Sequence, residues 1–185
     1  MDIKELKNKW LGVGAEVEET DYSRCGYDYD VRLEAQKVHS LAELMLDEGF
    51  YLVSVTAVDA RPAIEVVYHF AHAGAQRCRV IARIAVAEDG TVPTICDVYS
   101  GANWHEREVR DFYGVVFAGH PNLEPLILAE EDADMKPLLK EEKKLKDLAD
   151  LRHKSPDAES DKAAPAAKKA PAAAEQKAAK PQDSN

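Results

Sequence analysis

The chain has 185 residues, 45% of them hydrophobic, and a formal net charge of −10, which is enough for one domain with a real core but not for two. The acidic balance argues against nucleic acid as a partner, because binding to a phosphate backbone draws on clustered Lys and Arg. Nothing approaches the roughly 20 consecutive apolar residues that span a bilayer, and Met1 to Leu6 show no apolar signal core, so the sequence reads as cytoplasmic, meeting a membrane only through partners.

Ile3, Leu6 and Trp10 suit one face of an opening helix, and Val13, Ala15 and Val17 alternate as in a strand, as do Tyr27, Tyr29, Val31 and Leu33. Val38, Leu41, Ala42 and Met45 fall at i, i+3, i+4 and i+7, which predicts a helix from Glu34 to Glu48 stopped by Gly49. Three strands follow, Phe50 to Val58, Ala63 to Phe70 and Arg77 to Ala87. The connections between them are too short for crossover helices, so neighbours should be antiparallel. A turn at Glu88 to Thr91 leads to a shorter strand near Thr94 to Tyr99. The fold class is α+β, a mainly antiparallel sheet with helices packed on one face.

Between Asn103 and Leu128 charges and aromatic residues are interleaved. Asn103 and Glu106 have the spacing of a capping box, and the helix they open should run to Tyr113 and end at Gly114. Glu106 with Arg110 and Arg107 with Asp111 are acid/base pairs at i,i+4. Glu108 stands between Trp104 and Phe112 on an aromatic stripe, where an unpaired carboxylate would be costly, so it calls for a partner in this chain or in another. Val115 to Phe117 reads as a short strand. Ala118 to Asn122 reads as a turn whose Pro121 forbids helix at His120, and Leu123, Leu126, Ile127 and Leu128 close the segment as an apolar patch.

Beyond Leu128 an acidic run precedes Lys140 to His153, a charged helix edged by Leu145, Leu148 and Leu151, with Leu138 just before it. Two readings stand: a solvated helix, or an arm that docks on a partner. From Ser155 to Asn185 there is no aromatic and no branched aliphatic residue, so this stretch cannot offset its ordering entropy and reads as a disordered Ala/Lys/Pro tail. Its five acids and five lysines cancel, so the rest of the chain carries the whole net charge. The organisation is thus 1–128 as the α+β domain, 129–154 as a charged helical extension and 155–185 as the tail. Cys25, Cys78 and Cys96 form no C-x-x-C pair. Cys78 and Cys96 read as small buried hydrophobes and Cys25 as a loop thiol, with no disulfide framework and no iron–sulfur or zinc site among them.

The run Asn103-Trp104-His105-Glu106-Arg107-Glu108, with Asp111, Gly114, Phe117, Gly119-His120-Pro121 and Leu123, resembles the signature of the thirty-kilodalton subunit family of respiratory complex I. That family includes the related small subunit of energy-converting, membrane-bound nickel-iron hydrogenases. Leu52 to Asp59 with Ile64 to Phe70 is similar to the family's central hairpin, so the resemblance covers roughly Phe50 to Leu128. It implies a non-catalytic accessory subunit in the peripheral arm, on the cytoplasmic side, bracing the large catalytic subunit and the adjoining iron–sulfur subunit. It also implies no cofactor in this chain; the iron–sulfur clusters, and quinone or nickel and iron, belong to partner subunits. Trp104, Glu106, Arg107, Glu108, Asp111, Gly119, His120 and Pro121 are the residues expected at the subunit interface. Ala129 to Lys140 keeps the family's Pro137-Leu138 but lacks the tryptophan and the arginine usual in respiratory members, which raises the hydrogenase branch as an alternative.

Sharper chemistry is a remote alternative. His105-Glu106 lacks the second histidine of an H-E-x-x-H zinc helix, so a stand-alone metal-dependent enzyme would have to use His105, Glu108 and His120. There is no G-x-G-x-x-G, no Walker sequence and no nucleophile elbow, so neither cofactor-binding nor catalytic residues are expected.

Overall fold

The computed structural model describes residues 3–74 and 77–151. The expected tail, 155–185, and the last residues of the expected charged helix lie outside the described residues.

A five-stranded sheet carries the fold, in the order β1 (Glu16–Glu19), β2 (Tyr29–Leu33), β5 (Cys78–Ala85), β4 (Glu65–His72), β3 (Tyr51–Val58). Strands β3, β4 and β5 form the expected antiparallel meander, with Tyr68 opposite Val55 on one side and Ala82 on the other. Strand alternation sends Val66, Tyr68 and Phe70 of β4 and Val80, Ala82 and Ile84 of β5 to one face, where all are buried. Three helices pack against that face. Leu6 and Trp10 come from α1 (Ile3–Gly12), Val38, Leu41, Ala42 and Met45 from α3 (Val38–Asp47), and Ala102 and Val109 from α4 (Ala102–Tyr113). The single turn α2 (Tyr22–Cys25) is capped by Asp21, whose carboxylate accepts the Ser23 N–H. Each fully buried Leu, Phe or Met contributes about 1.5–3 kcal/mol, so this one-sided layer accounts for the cohesion of the domain. The Trp10 indole N–H is satisfied inside it by the Met45 sulfur at 3.3 Å.

The opposite face is built differently. Arg83 donates to Asp30 at 2.9 Å and to Glu65 at 3.2 Å, and both carboxylates are buried. This ion cluster ties β2, β5 and β4 together across the sheet.

Several elements differ from the sequence expectations. Strand β2 joins β5 in parallel, Val31 opposite Ala82, so the sheet is not uniformly antiparallel. Val13 lies in the turn just past α1, its N–H bonded to Lys9 O, and β1 begins only at Glu16. The helix expected from Glu34 opens as a 3-10 turn at Ala35–Lys37 before α3. No strand forms over Thr94 to Tyr99; β6 (Thr91–Pro93) ends first, paired in parallel with β7 (Val116–Ala118). The ladder stops after the Thr94 N–H, because Glu106 of α4 takes the Ile95 N–H and the Val98 and Tyr99 N–H groups turn back to Ile95 O.

The charged helix expected from Lys140 is replaced by a strap. Residues 129–151 contain 3-10 turns at Glu130–Asp132 and Glu142–Lys144 and only a short α5 (Leu148–Leu151). Its backbone groups are claimed elsewhere: Asp59 accepts the Lys140 N–H at 2.7 Å, Arg61 N–H donates to Lys146 O, and Leu148 N–H donates to Arg61 O. These bonds to the β3–β4 turn compete with the helical ladder that the leucine spacing predicts.

Candidate functional site

Helix α4 is the hub on which the rest of the candidate site is built. It begins at Ala102 with Gly101 at its cap and no side-chain cap, so the Asn103/Glu106 capping box does not form. Asn103 already lies inside the helix. Ala102, Glu106 and Val109 occupy i, i+4 and i+7, the buried stripe, and Glu106 therefore points inward with 0% exposure.

A buried carboxylate survives only where donors surround it. Glu106 Oε1 accepts the Ile95 N–H at 2.9 Å, and Oε2 accepts the Thr94 hydroxyl and the Cys96 thiol, the latter at 3.2 Å. His120 Nε2 lies 3.9 Å from the same oxygen. Burial pushes Glu106 above the usual carboxylate range, while Ile95, Thr94, Cys96 and His120 pull it back down. Cys96 is half-buried, and burial drives its thiol up to about 12, so it acts as a donor and not as a nucleophile.

Cys96, Glu106 and His120 offer three potential metal-ligand atoms within 4.8 Å of one another. The histidine is turned the wrong way for that role. Its Nδ1 accepts the Asn122 N–H at 3.0 Å, which leaves the ring proton on Nε2, facing Glu106 and, at 3.3 Å, the Asn103 carbonyl. A ligating imidazole needs a lone pair on Nε2 and an acceptor beyond Nδ1. The geometry suits a hydrogen-bond hub. The other metal trio is not assembled: His105 and Glu108 stand 4.0 Å apart on α4, whereas His120 faces Glu106.

Two further charges of α4 also turn to the backbone. Fully buried Asp111 accepts three consecutive N–H groups through Oδ2, Leu126 at 2.9 Å, Ile127 at 2.8 Å and Leu128 at 3.2 Å. Burial opposes its ionisation, but the Ile127, Leu126 and Leu128 N–H groups and Arg110 outweigh it and hold Asp111 below its ordinary value. Arg107 donates to the carbonyls of Glu124 and Pro125, each at 2.9 Å. Neither expected i,i+4 pair, Glu106 with Arg110 or Arg107 with Asp111, is therefore made. Loop backbone wins because it offers several aligned groups to each charge, where a single side chain on the helix surface contributes a few tenths of a kcal/mol.

What faces outward is a different set. Trp104 is 70% exposed, Glu108 is partly exposed and accompanied by His105, and Gly119 and Pro121 are exposed on the turn after β7. The Trp104–Glu108 stripe is thus on the outside, so Glu108 does not carry the desolvation cost expected of it. Of the eight expected site residues, Glu106, Arg107, Asp111 and His120 hold the loops, and Trp104, Glu108, Gly119 and Pro121 face solvent. Sequence reasoning missed Thr94 and Cys96. No local signal marks them, because they meet Glu106 only through the tertiary fold.

Fold and site together define an α+β scaffold domain in which one helix anchors two loops through buried charges. The sequence model of the family described as respiratory-chain NADH dehydrogenase, 30 Kd subunit, matches residues 31–147, and the chain belongs to that family. It is 44% identical over 79 residues to the C subunit of NADH-quinone oxidoreductase from Ruegeria pomeroyi, covering 41% of this chain and 39% of that protein. To the protein of the same name from Roseiflexus castenholzii it is 34% identical over 112 residues, 56% of this chain and 64% of the other. The chain thus spans between about two fifths and two thirds of the length of these relatives. Among solved structures, the trypsin-resistant fragment (1–134) of Nqo5 matches with a TM-score of 0.55 and 26% identity, covering 66% of this chain and all of that one. The hydrogenase branch, raised by the missing tryptophan and arginine, is not favoured by these relatives.

Proposed function

We propose that the chain is a non-catalytic accessory subunit in the peripheral electron-transfer arm of a membrane-bound NADH:quinone oxidoreductase. It sits on the cytoplasmic face of the membrane and braces the large catalytic subunit and the adjoining iron–sulfur subunit. The observation that carries this is the family match over residues 31–147, which contains all of α4 and both loops moored to it. Among the described residues no helix is long and apolar enough to cross a membrane, in keeping with contact through partners. Iron–sulfur clusters and quinone are assigned to those partners.

The geometry divides the labour. Glu106, Arg107, Asp111 and His120 fix the shape of the surface, and Trp104, Glu108, Gly119 and Pro121 present it. An exposed tryptophan held on a rigid helix is the kind of residue that anchors an interface.

Affinity purification of the tagged chain from its host, with identification of the largest partner, a quinone-reduction assay and a nickel assay, tests the reading. Quinone reduction without nickel is expected. Trp104→Ala should reduce recovery of the large subunit while leaving the isolated chain's unfolding midpoint unchanged. A chain that turns over substrate alone, or lives without companions, would overturn the proposal.

A further inference from the structure

Strand β3 is one edge of the sheet, and its sequence, Tyr51-Leu52-Val53-Ser54-Val55-Thr56-Ala57-Val58, contains no charged residue in a chain that is 31% charged. The other edge, β1, reads Glu-Val-Glu-Glu over four residues, short and charged in the manner that keeps an edge from pairing. Only β3 lacks that protection. Among the described residues its main-chain groups bond to β4 alone, and Tyr51 and Val53 are about half exposed, at 51% and 50%. Past its carboxyl end, in the β3–β4 turn, Asp147 of the strap forms an isolated parallel bridge with Arg61. The stretch Tyr51–Val58 upstream of that bridge stays open.

Two grooves begin at this strand. One, of about 260 Å³, runs from Tyr51 and Val53 across His69 to Ile81 beneath Tyr27. The other, of about 550 Å³, continues past Tyr51 to Arg77 and Arg79, with Tyr22 stacked 5.8 Å from the Arg79 guanidinium carbon. The carboxylate lining it, Asp28, is occupied by the Arg79 backbone N–H at 2.7 Å. On an acidic protein, two exposed arginines in a groove that begins at Tyr51 and Ala71 are complementary to a carboxylate.

From this juxtaposition we infer that β3 is a strand-addition site for an extended segment of a neighbouring subunit, apolar where it lies along Tyr51 and Val53 and acidic where it reaches Arg77 and Arg79. Main-chain bonds to the open edge supply affinity, and the grooves select side chains. The chain's own carboxyl-terminal sequence is a poor occupant, because Pro165, Pro171 and Pro181 lack the ladder N–H and its charges include five lysines. The inference rests on the proposed role as a subunit of a complex.

Hydrogen exchange on the full chain, free and in the complex purified from the host, tests it. The outward amides of Tyr51–Val58 should exchange rapidly in the free chain and slow on the order of 100-fold in the complex. In parallel, Val53→Lys and Arg79→Glu should each lower recovery in the complex at least tenfold. If the chain is in the complex but these amides stay unprotected, the inference fails and the subunit role stands. If the chain enters no complex, both fail. Protection that rises with concentration of the free chain would mean pairing with a second copy and would overturn the assigned occupant.

Discussion

Glu106 has the position of a core residue and the chemistry of a surface one. Three hydrogen-bond donors make its burial tolerable, and removing the carboxylate leaves them unpaired. Glu106→Gln keeps the acceptor for Ile95 but turns an amide N–H toward the Thr94 hydroxyl and the Cys96 thiol, so it should lower stability by about 1–3 kcal/mol, read as a shift in the urea midpoint. The pH dependence has a definite sign. Because Glu106 is raised above its ordinary 4.5 in the folded chain, the native state binds more protons, and stability falls as pH rises through the folded value. The Gln variant should lack that fall. Asp111 works in the opposite sense. Its folded value lies below 3.8, so its contribution is present above 3.8 and lost as pH drops through the folded value. Asp111→Asn should therefore differ from the parent at neutral pH and converge on it in acid. Midpoints that stay parallel from pH 3 to pH 8 would contradict both assignments.

Helix α4 also shows what could be read from sequence and what could not. Its extent and its stop at Gly114 were legible, because helix spacing and a residue with φ of +77° are local properties. Gly114→Ala would force a Cβ into the left-handed region and to 3.2 Å from the Lys136 side chain, and should cost about 1 kcal/mol in the unfolding midpoint. The partners of its charges were not legible. Spacing tells at what angle Glu106 or Asp111 leaves the helix, but not that the Ile95 N–H with the Thr94 and Cys96 side chains, and the N–H groups of residues 126–128, wait there. The same limit explains the absent strand at Thr94 to Tyr99, where the Ile95 N–H goes to Glu106 and the Val98 and Tyr99 N–H groups fold back on Ile95 O in a turn. Alternation did find β3, β4 and β5, because short connections settle their pairing. The parallel joining of β2 to β5 links strands almost 50 residues apart, and no local pattern encodes it.

At the scale of the whole molecule the strap is held by few points. Asp59 and Arg61 secure residues 140–148 through the Lys140, Lys146 and Leu148 backbone groups, while Lys143, Lys144 and neighbouring side chains are exposed. Asp59→Ala should make this segment a preferred trypsin site and leave the sheet intact, which limited digestion followed by mass spectrometry would show; unchanged cleavage would mean that other contacts hold the strap. Truncation after Lys154 should leave the unfolding midpoint where it is, since the sequence beyond it offers no aromatic or branched aliphatic side chain to bury. The lone parallel seam in the sheet has a kinetic consequence. The meander from Tyr51 to Ala85 can zip through nearest neighbours, but the amino-terminal ribbon has no dock until β5 is in place, so during synthesis it must wait, unpaired, for some fifty residues to follow it. Val66→Ala should therefore slow refolding, whereas Val31→Ala should chiefly hasten unfolding.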